Sequence, residues 1–239
     1  MGKTYTENEI LETCKATLKT PEQFYNAACV NYTGKTSDTK IPYTEVIAEF
    51  LCKKENFDKY VNGISKLPRE KSPYKTDTHN GALNENSNQE EANIAKQMFN
   101  FCDKGGSYSK IGKIIDYQTP LKNELSDKAG KIDLLAYDEA TNTLRILELK
   151  KPCSNETMLR CVLEGYTYLK TVDQKKLREN FNSEKLEIPE NASVKASPLV
   201  FKGSKPYNEY QKDRPHLKKL MKLLESEPIF VVATAWEVL

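Results

Sequence analysis

The sequence predicts an α/β protein: a central mixed β-sheet flanked by helices, preceded by a helical N-terminal region. Three observations predict it. From residue 87 onward, helix-period and strand-period segments follow in the order α-β-β-β-α-β-α-β, which builds a mixed sheet with helices on its faces. The strand candidates 131–138 and 143–150 are apolar on both faces, as doubly covered central strands are. Before residue 70 the apolar periodicity is helical.

Taken in order, Asn8 to Leu18 reads as a helix. Thr20-Pro21-Glu22-Gln23 opens a second, with proline in the first turn, where its missing N–H leaves no partner unsatisfied. A third, from Tyr43 to Phe50 or beyond, carries Val46, Ile47, Phe50 and Leu51. Residues 66–86 are polar and broken by Pro68, Pro73 and Gly81, so the chain divides into a helical region 1–70, a linker or loop 71–86, and a domain 87–239. The domain opens with the helix SNQEEANIAKQMFNF, in which Ser87 as N-cap and Glu90 three residues on make a capping box. Residues 111–117 read as a strand. Strands 131–138 and 143–150 are joined by the turn Glu139-Ala140-Thr141-Asn142. The helix 154–172 is amphipathic, with Met158, Leu159, Val162, Leu163, Tyr166 and Leu169 on one side. A strand at 194–201, a helix at 214–224 and a strand at 228–236, with Trp236 in the core, complete the pattern.

At 239 residues the chain suits one sizeable α/β domain or a compact pair, with enough length to bury a core. Its 13 Tyr and 8 Phe argue against a disordered protein, and 10 Gly with 11 Pro exclude collagen-like and low-complexity classes. No apolar run approaches the roughly 18 residues that cross a bilayer, so no membrane partner is expected. The N-terminus has no apolar core of a secretory signal, and a cytoplasmic protein is the expectation. Six scattered cysteines form no Cys-x-x-Cys pair and there are two histidines, so zinc-finger spacing is absent and buried thiols are expected. A net charge of +2 neither implies nor excludes nucleic acid, because a local basic groove can coexist with a near-neutral total. The segment GKTSDTK (34–40) lacks the upstream glycine of a nucleotide-binding phosphate loop.

The hairpin carries the chemistry. The four-residue turn sets Asp138 opposite Thr143, and counting back sets Asp133 opposite Glu148. Alternation then puts Asp133, Glu148 and Lys150 on one face with Leu135, Tyr137, Leu144 and Ile146, and Ile132, Leu134, Ala136, Leu147 and Leu149 on the other. Facing carboxylates repel, and burial adds to the cost. A divalent cation held by hard oxygen ligands resolves both; pairing of Asp133 with Lys131 or Lys150 at a wet strand end is the plainer account. In the preceding helix, Ile94, Ala95, Met98 and Phe99 define the buried stripe. At about 100° per residue Glu91 falls near its centre and Glu90 to one side. Glu91 is then a second carboxylate aimed inward, or a solvated first-turn acid favoured by the helix dipole.

Glu91 on a helix, Ile132-Asp133 entering one strand and Glu148-Leu149-Lys150 ending the next resemble the PD-(D/E)xK nuclease superfamily, over residues 87–172. Ile132 stands where that family often has proline. The resemblance implies a restriction-endonuclease-like αβββαβ core and a nuclease acting on nucleic acid, DNA before RNA. It also implies a Mg²⁺ cofactor, replaceable by Mn²⁺, bound by Asp133, Glu148 and the Leu149 carbonyl, with Glu91 bracing the site or binding a second ion. Lys150 would orient or deprotonate the attacking water, and a nearby metal can depress a lysine's pKa enough to suit it to that base role.

On the helix 154–172, Arg160, Glu164 and Thr167, with Tyr168 beside them, form a polar side. Arg160 is a candidate phosphate contact, set against an ordinary i,i+4 surface pair with Glu164. Basic residues at Arg214, His216, Lys218, Lys219 and Lys222, and at Lys66, Arg69, Lys71 and Lys75, are further phosphate contacts or solvated charges. For residues 1–86, target recognition and homodimerisation are both open. Two rivals to a nuclease stand beside it: a non-catalytic nucleic-acid-binding or protein-interaction module of the same fold, and a scaffold whose hairpin charges merely pair.

Overall fold

The computed structural model describes residues 4–70, 72–83, 89–122, 130–183, 186–232 and 237–238. It is an α/β fold built on one six-stranded mixed sheet in the order β1-β2-β3-β4-β5-β6. The strands are β1 Lys113–Pro120, β2 Lys131–Asp138, β3 Thr143–Lys150, β4 Ser193–Phe201, β5 Ile229–Val232 and β6 Glu237–Val238. The first three form an antiparallel meander, β3-β4 and β4-β5 are parallel, and β6 returns antiparallel to β5. Strands 131–138 and 143–150 and their turn fall where the sequence places them, and the register Asp138–Thr143 through Leu134–Leu147 is the predicted one.

The helices are α1 Glu7–Thr17, α2 Tyr43–Cys52, α3 Lys54–Gly63, α4 Glu90–Asp103, α5 Met158–Thr171, α6 Gln174–Phe181, α7 Lys205–Tyr210 and α8 Pro215–Leu223, with 3₁₀ turns at Pro21–Asn26 and Ala28–Asn31. Helices α6 and α7 were not anticipated; at 8 and 6 residues they are too short for a clear apolar period, whereas α3 falls in the stretch before residue 70 read as helical. The strand expected at 111–117 runs instead from Lys113 to Pro120, and it carries a bulge between Ile114 and Asp116. Gly112 precedes it with φ +73°, and a Cβ there would stand 2.2 Å from the Tyr137 carbonyl oxygen; only glycine lets the chain enter so close to β2.

Each face of the sheet has its own core. Ala95, Met98 and Cys102 of α4 pack on Leu134, Ala136, Leu147, Leu149 and Leu199. On the other face Leu135, Tyr137, Leu144 and Ile146 meet α5, and α5 is covered in turn by Phe24, Tyr25 and Tyr60 of the N-terminal region. The Tyr60 hydroxyl, wholly buried, donates to the Leu163 carbonyl (3.3 Å). The N-terminal helices thus share one core with the sheet. Ile132 departs from the predicted alternation and joins this second core: the β2–β3 ladder stops at Leu134–Leu147, and beyond it pairing no longer holds alternate side chains to opposite faces.

Within the polar segment 66–83, Arg69 is buried and donates to the carbonyls of Pro73 and Lys122, so this candidate phosphate contact is spent on main chain. Tyr74 is 1% exposed, and the Gly81 N–H donates to the Tyr117 hydroxyl (3.0 Å). The N-cap expected at Ser87, the phosphate contact at Lys71 and the core position of Trp236 lie outside the described residues. Helix α4 begins at Glu90 with Gln89 at its cap, and Glu90 pairs with Lys151 (2.9 Å). All six cysteines are free thiols; Cys14, Cys29, Cys102 and Cys161 are buried as expected, whereas Cys153 is exposed. Among the described residues no helix is long and apolar enough to cross a membrane.

Candidate active site

The site lies where β2 begins and β3 ends, between α4 on one face and α5 on the other. Asp133 sits one residue beyond the last β2–β3 pair. Freed from the ladder, its carboxylate turns to β3: Oδ2 accepts the Leu149 N–H (3.0 Å) and Oδ1 accepts the Gln118 side-chain amide (3.0 Å). Gln118 reaches it because β1 is irregular here. Its neighbours Tyr117 and Thr119 pair with Leu134 and Ile132, while Gln118 itself adopts φ +49°, a left-handed conformation uncommon for a non-glycine residue.

Glu148 and Lys150 are 3% and 5% exposed and point, as alternation requires, to the α5 side. Lys150 Nζ lies 2.7 Å from Glu148 Oε1, 2.8 Å from Glu156 Oε2 and 3.5 Å from Glu164 Oε2. Arg160 Nε bridges the same two α5-side acids, 3.2 Å from Glu156 and 3.5 Å from Glu164. The Tyr168 hydroxyl donates to the other Glu164 oxygen (3.0 Å). Glu91, half-buried at the start of α4, accepts the Lys151 N–H through Oε1 (3.0 Å). The structure therefore brings Glu91, Asp133, Glu148, Leu149 and Lys150 to one strand end, with Arg160 at their edge.

Burial dominates the electrostatics. It raises the Asp133 carboxyl to about 7, with Glu164 and Glu91 adding to the rise while Lys150 and the Leu149 N–H oppose it. Burial and the neighbouring Asp133 charge push Glu148 well above the usual carboxylate range, against the pull of Lys150. For Lys150 burial acts downward, but Glu148, Cys161, Glu164 and Glu156 together outweigh it and hold its pKa above the ordinary lysine value. Ringed by carboxylates, Lys150 is held as a cation in the metal-free chain; the depressed lysine of the sequence reading belongs to a site that holds a metal.

The surface pairing expected for Arg160 and Glu164 is corrected. The pair exists, but Glu164 is 8% exposed, and Thr167 and Tyr168 are buried too, because Phe24 and Tyr25 cover that side of α5. Arg160 lies over the Tyr25 ring, 5.9 Å from its centroid. Glu156 and Gln118 are the site residues that sequence reasoning missed; Glu164 and Tyr168 were placed on the helix's polar side but not in the site. A signal existed for Glu164: Cys161, Val162, Leu163 and Tyr166 leave α5 little polar surface, as in a helix buried on all sides.

Among the described residues no group of three or more His, Cys, Asp or Glu side chains is arranged to hold a metal ion. The two desolvated carboxylates of Asp133 and Glu148 remain a hard-oxygen donor pair. Such a pair fits Mg²⁺, which keeps several waters and binds through one or two carboxylates plus a substrate phosphate. No family model, curated protein or solved structure matches this chain.

Proposed function

We propose that the protein is a divalent-metal-dependent nuclease that hydrolyses phosphodiester bonds of nucleic acid, with DNA the substrate the resemblance favours. The observation that carries this reading is the placement of two mutually repelling carboxylates, the buried Glu148 and the half-buried Asp133, beside Lys150 at one end of adjacent strands. Such an arrangement is costly to folding unless a cation offsets it at work. The element order α4-β1-β2-β3-α5-α6-β4, a meander followed by a parallel strand, is that of the αβββαβ core the resemblance implies with one short helix, α6, inserted before β4.

Asp133 and Glu148, with the Leu149 carbonyl, would hold Mg²⁺, and Glu91 stands beside them tied to the main chain of Lys151. When bound, the ion lowers the pKa of the attacking water and offsets charge on the phosphate oxygens. Lys150, held by Glu148, Glu156 and Glu164, presents a positive charge to the negative charge that develops on phosphorus oxygens in the transition state. Arg160 and Tyr168 fix Glu164 and so fix Lys150. Gln118 and the Leu149 N–H orient Asp133.

One observation favours the second reading, a non-catalytic nucleic-acid-binding or interaction module. Lys150 already sits on Glu148, so the cluster is partly self-neutralised without an ion. Titration calorimetry of Mg²⁺ and Mn²⁺ into wild type and Asp133→Asn, beside a cleavage assay on single- and double-stranded DNA, separates the two. Metal binding lost in the variant, with metal-dependent cutting by wild type, is the nuclease outcome. No binding at millimolar metal together with no cutting would overturn it.

A further inference from the structure

We propose that the cavity beside Glu156 holds the phosphate backbone of the nucleic-acid strand flanking the bond that is cut, an inference that rests on the nuclease reading above. The cavity, about 550 Å³, opens at the carboxyl ends of the parallel strands β3 and β4, where the N-terminal region closes over them. In open α/β sheets the crevice outside the carboxyl ends of the strands is where ligands bind. It adjoins the site directly: Ser154, Asn155 and Thr157 line it, and Glu156 between them is the residue that pairs with Lys150 at 2.8 Å.

Its charge suits a polyanion. Lys205, Lys212 and Arg214 line it, and among the described residues none of the three makes an ion pair with a carboxylate. Lys205 Nζ donates to the Asn155 carbonyl (2.6 Å), which steers its ammonium along the wall and leaves two protons free. Arg214 gives one Nη to the Asp213 carbonyl (2.9 Å), while its buried Nε has no partner. The acid in the lining, Glu209, is spent on protein: Oε1 accepts the Thr44 hydroxyl and Oε2 the Met158 N–H. Gly203, also in the lining, is exposed, and an added Cβ there would meet nothing within 4 Å. Three cations without carboxylate partners, in a cleft whose wall flanks Glu156 of the proposed centre, form the footprint of a phosphate track.

Salt dependence tests it. Fluorescence anisotropy of a labelled single-stranded DNA oligonucleotide is followed against salt in EDTA, for wild type and for Lys205→Gln/Lys212→Gln/Arg214→Gln. Cleavage with Mg²⁺ is measured in parallel. Each phosphate contact contributes about 0.7 to the log–log salt slope for single strands, so the triple variant is expected to lose about 2 from that slope. A control, Lys54→Gln/Lys104→Gln/Lys110→Gln, changes exposed lysines that do not line the cavity and should keep the wild-type slope. If the triple variant proves unstable, Lys212→Gln alone, an exposed side chain, should lose about 0.7. A wild type that binds and cuts while the triple variant keeps its slope overturns the cavity assignment and leaves the nuclease intact. A wild type that neither binds DNA at low salt nor cuts it overturns the nuclease reading, and this inference falls with it.

Discussion

Lys150 Nζ lies 2.7 Å from Glu148 Oε1, two residues back along the same face of β3, and both residues are at least 95% buried. Neighbours at i and i+2 on a strand face project in parallel, so the backbone itself sets this pair side by side. Helix α5 and its approach complete the enclosure: Glu156 and Glu164 bring a second and third carboxylate to the ammonium, and Arg160 restores part of the positive charge. The charges proposed for catalysis are therefore the ones that hold this end of the sheet together.

Removing the cation should expose that coupling. Lys150→Ala leaves Glu148, Glu156 and Glu164 without their shared partner, and breaking a buried ion pair from one side costs about 3–5 kcal/mol. At the low end, the melting temperature of a chain this size should fall by about 6–12 °C. Calorimetric melting of the variant against wild type measures this. A melt within about 2 °C of wild type would mean that water, not Lys150, screens these acids. Loss of activity in this variant alone is thus a poor test of catalysis, and Asp133→Asn is the cleaner one.

The metal-free protein should also lose stability as pH rises through neutrality. Asp133 titrates near 7 when folded and near 3.8 otherwise, so between those values the folded chain holds a proton that the unfolded chain has released. Stability therefore decreases with increasing pH across that window, fully favourable contributions belonging to its acid end. Asp133→Asn lacks this contribution. In EDTA, the melting temperature of wild type minus that of Asp133→Asn should shrink between pH 5 and pH 8; a difference that grows would reverse the assignment.

How much of this was legible in the sequence follows from the range of the interactions involved. The hairpin is local: a four-residue turn and alternation give the ladder's register from Asp138–Thr143 to Leu134–Leu147, and the expected Asp133–Glu148 pair lies just beyond its last rung. Glu91 was legible from one helical stripe. The turn of Asp133 toward Leu149 was not, because it depends on where the ladder ends and on an irregular β1 that carries Gln118 to it. Glu164 looked like a surface acid because its cover, Phe24 and Tyr25, comes from a segment far earlier in the chain with no spacing signal linking the two. The acidic ring around Lys150 was hidden for a related reason: two of its three acidic partners come from the approach to α5 and from α5 itself.

Gly165 tests how closely α5 rides on the site. A Cβ at this position would meet Glu148 Cβ at 3.5 Å and Ala196 Cβ at 3.8 Å, ordinary van der Waals contact. Alanine fits and gains up to about 1 kcal/mol of helix propensity over glycine, so Gly165→Ala should raise the melting temperature by about 2–4 °C. Leucine does not fit and should push α5 off β3 at a cost of about 1–3 kcal/mol. Parallel melts of the two variants decide it, and a destabilised alanine variant would show that the contact is tighter than these distances.

The start of α5 rests on Thr157, whose side chain does two jobs. Its Oγ1 accepts the Arg160 N–H (3.2 Å) as an N-cap and donates its own proton to the Val30 carbonyl (2.6 Å), while its N–H donates to Asn31 Oδ1 (3.1 Å). One hydroxyl thus fixes both the first turn of the helix that carries Arg160 and Glu164 and the 3₁₀ segment that packs over it. Thr157→Ala removes the cap and leaves a buried carbonyl without its donor, for a loss of about 2 kcal/mol. Serine keeps the hydroxyl and gives up one methyl, so Thr157→Ser should recover more than half of that loss in chemical denaturation. Equal destabilisation by both substitutions would assign the effect to the methyl group and detach the cap from the stability of the site.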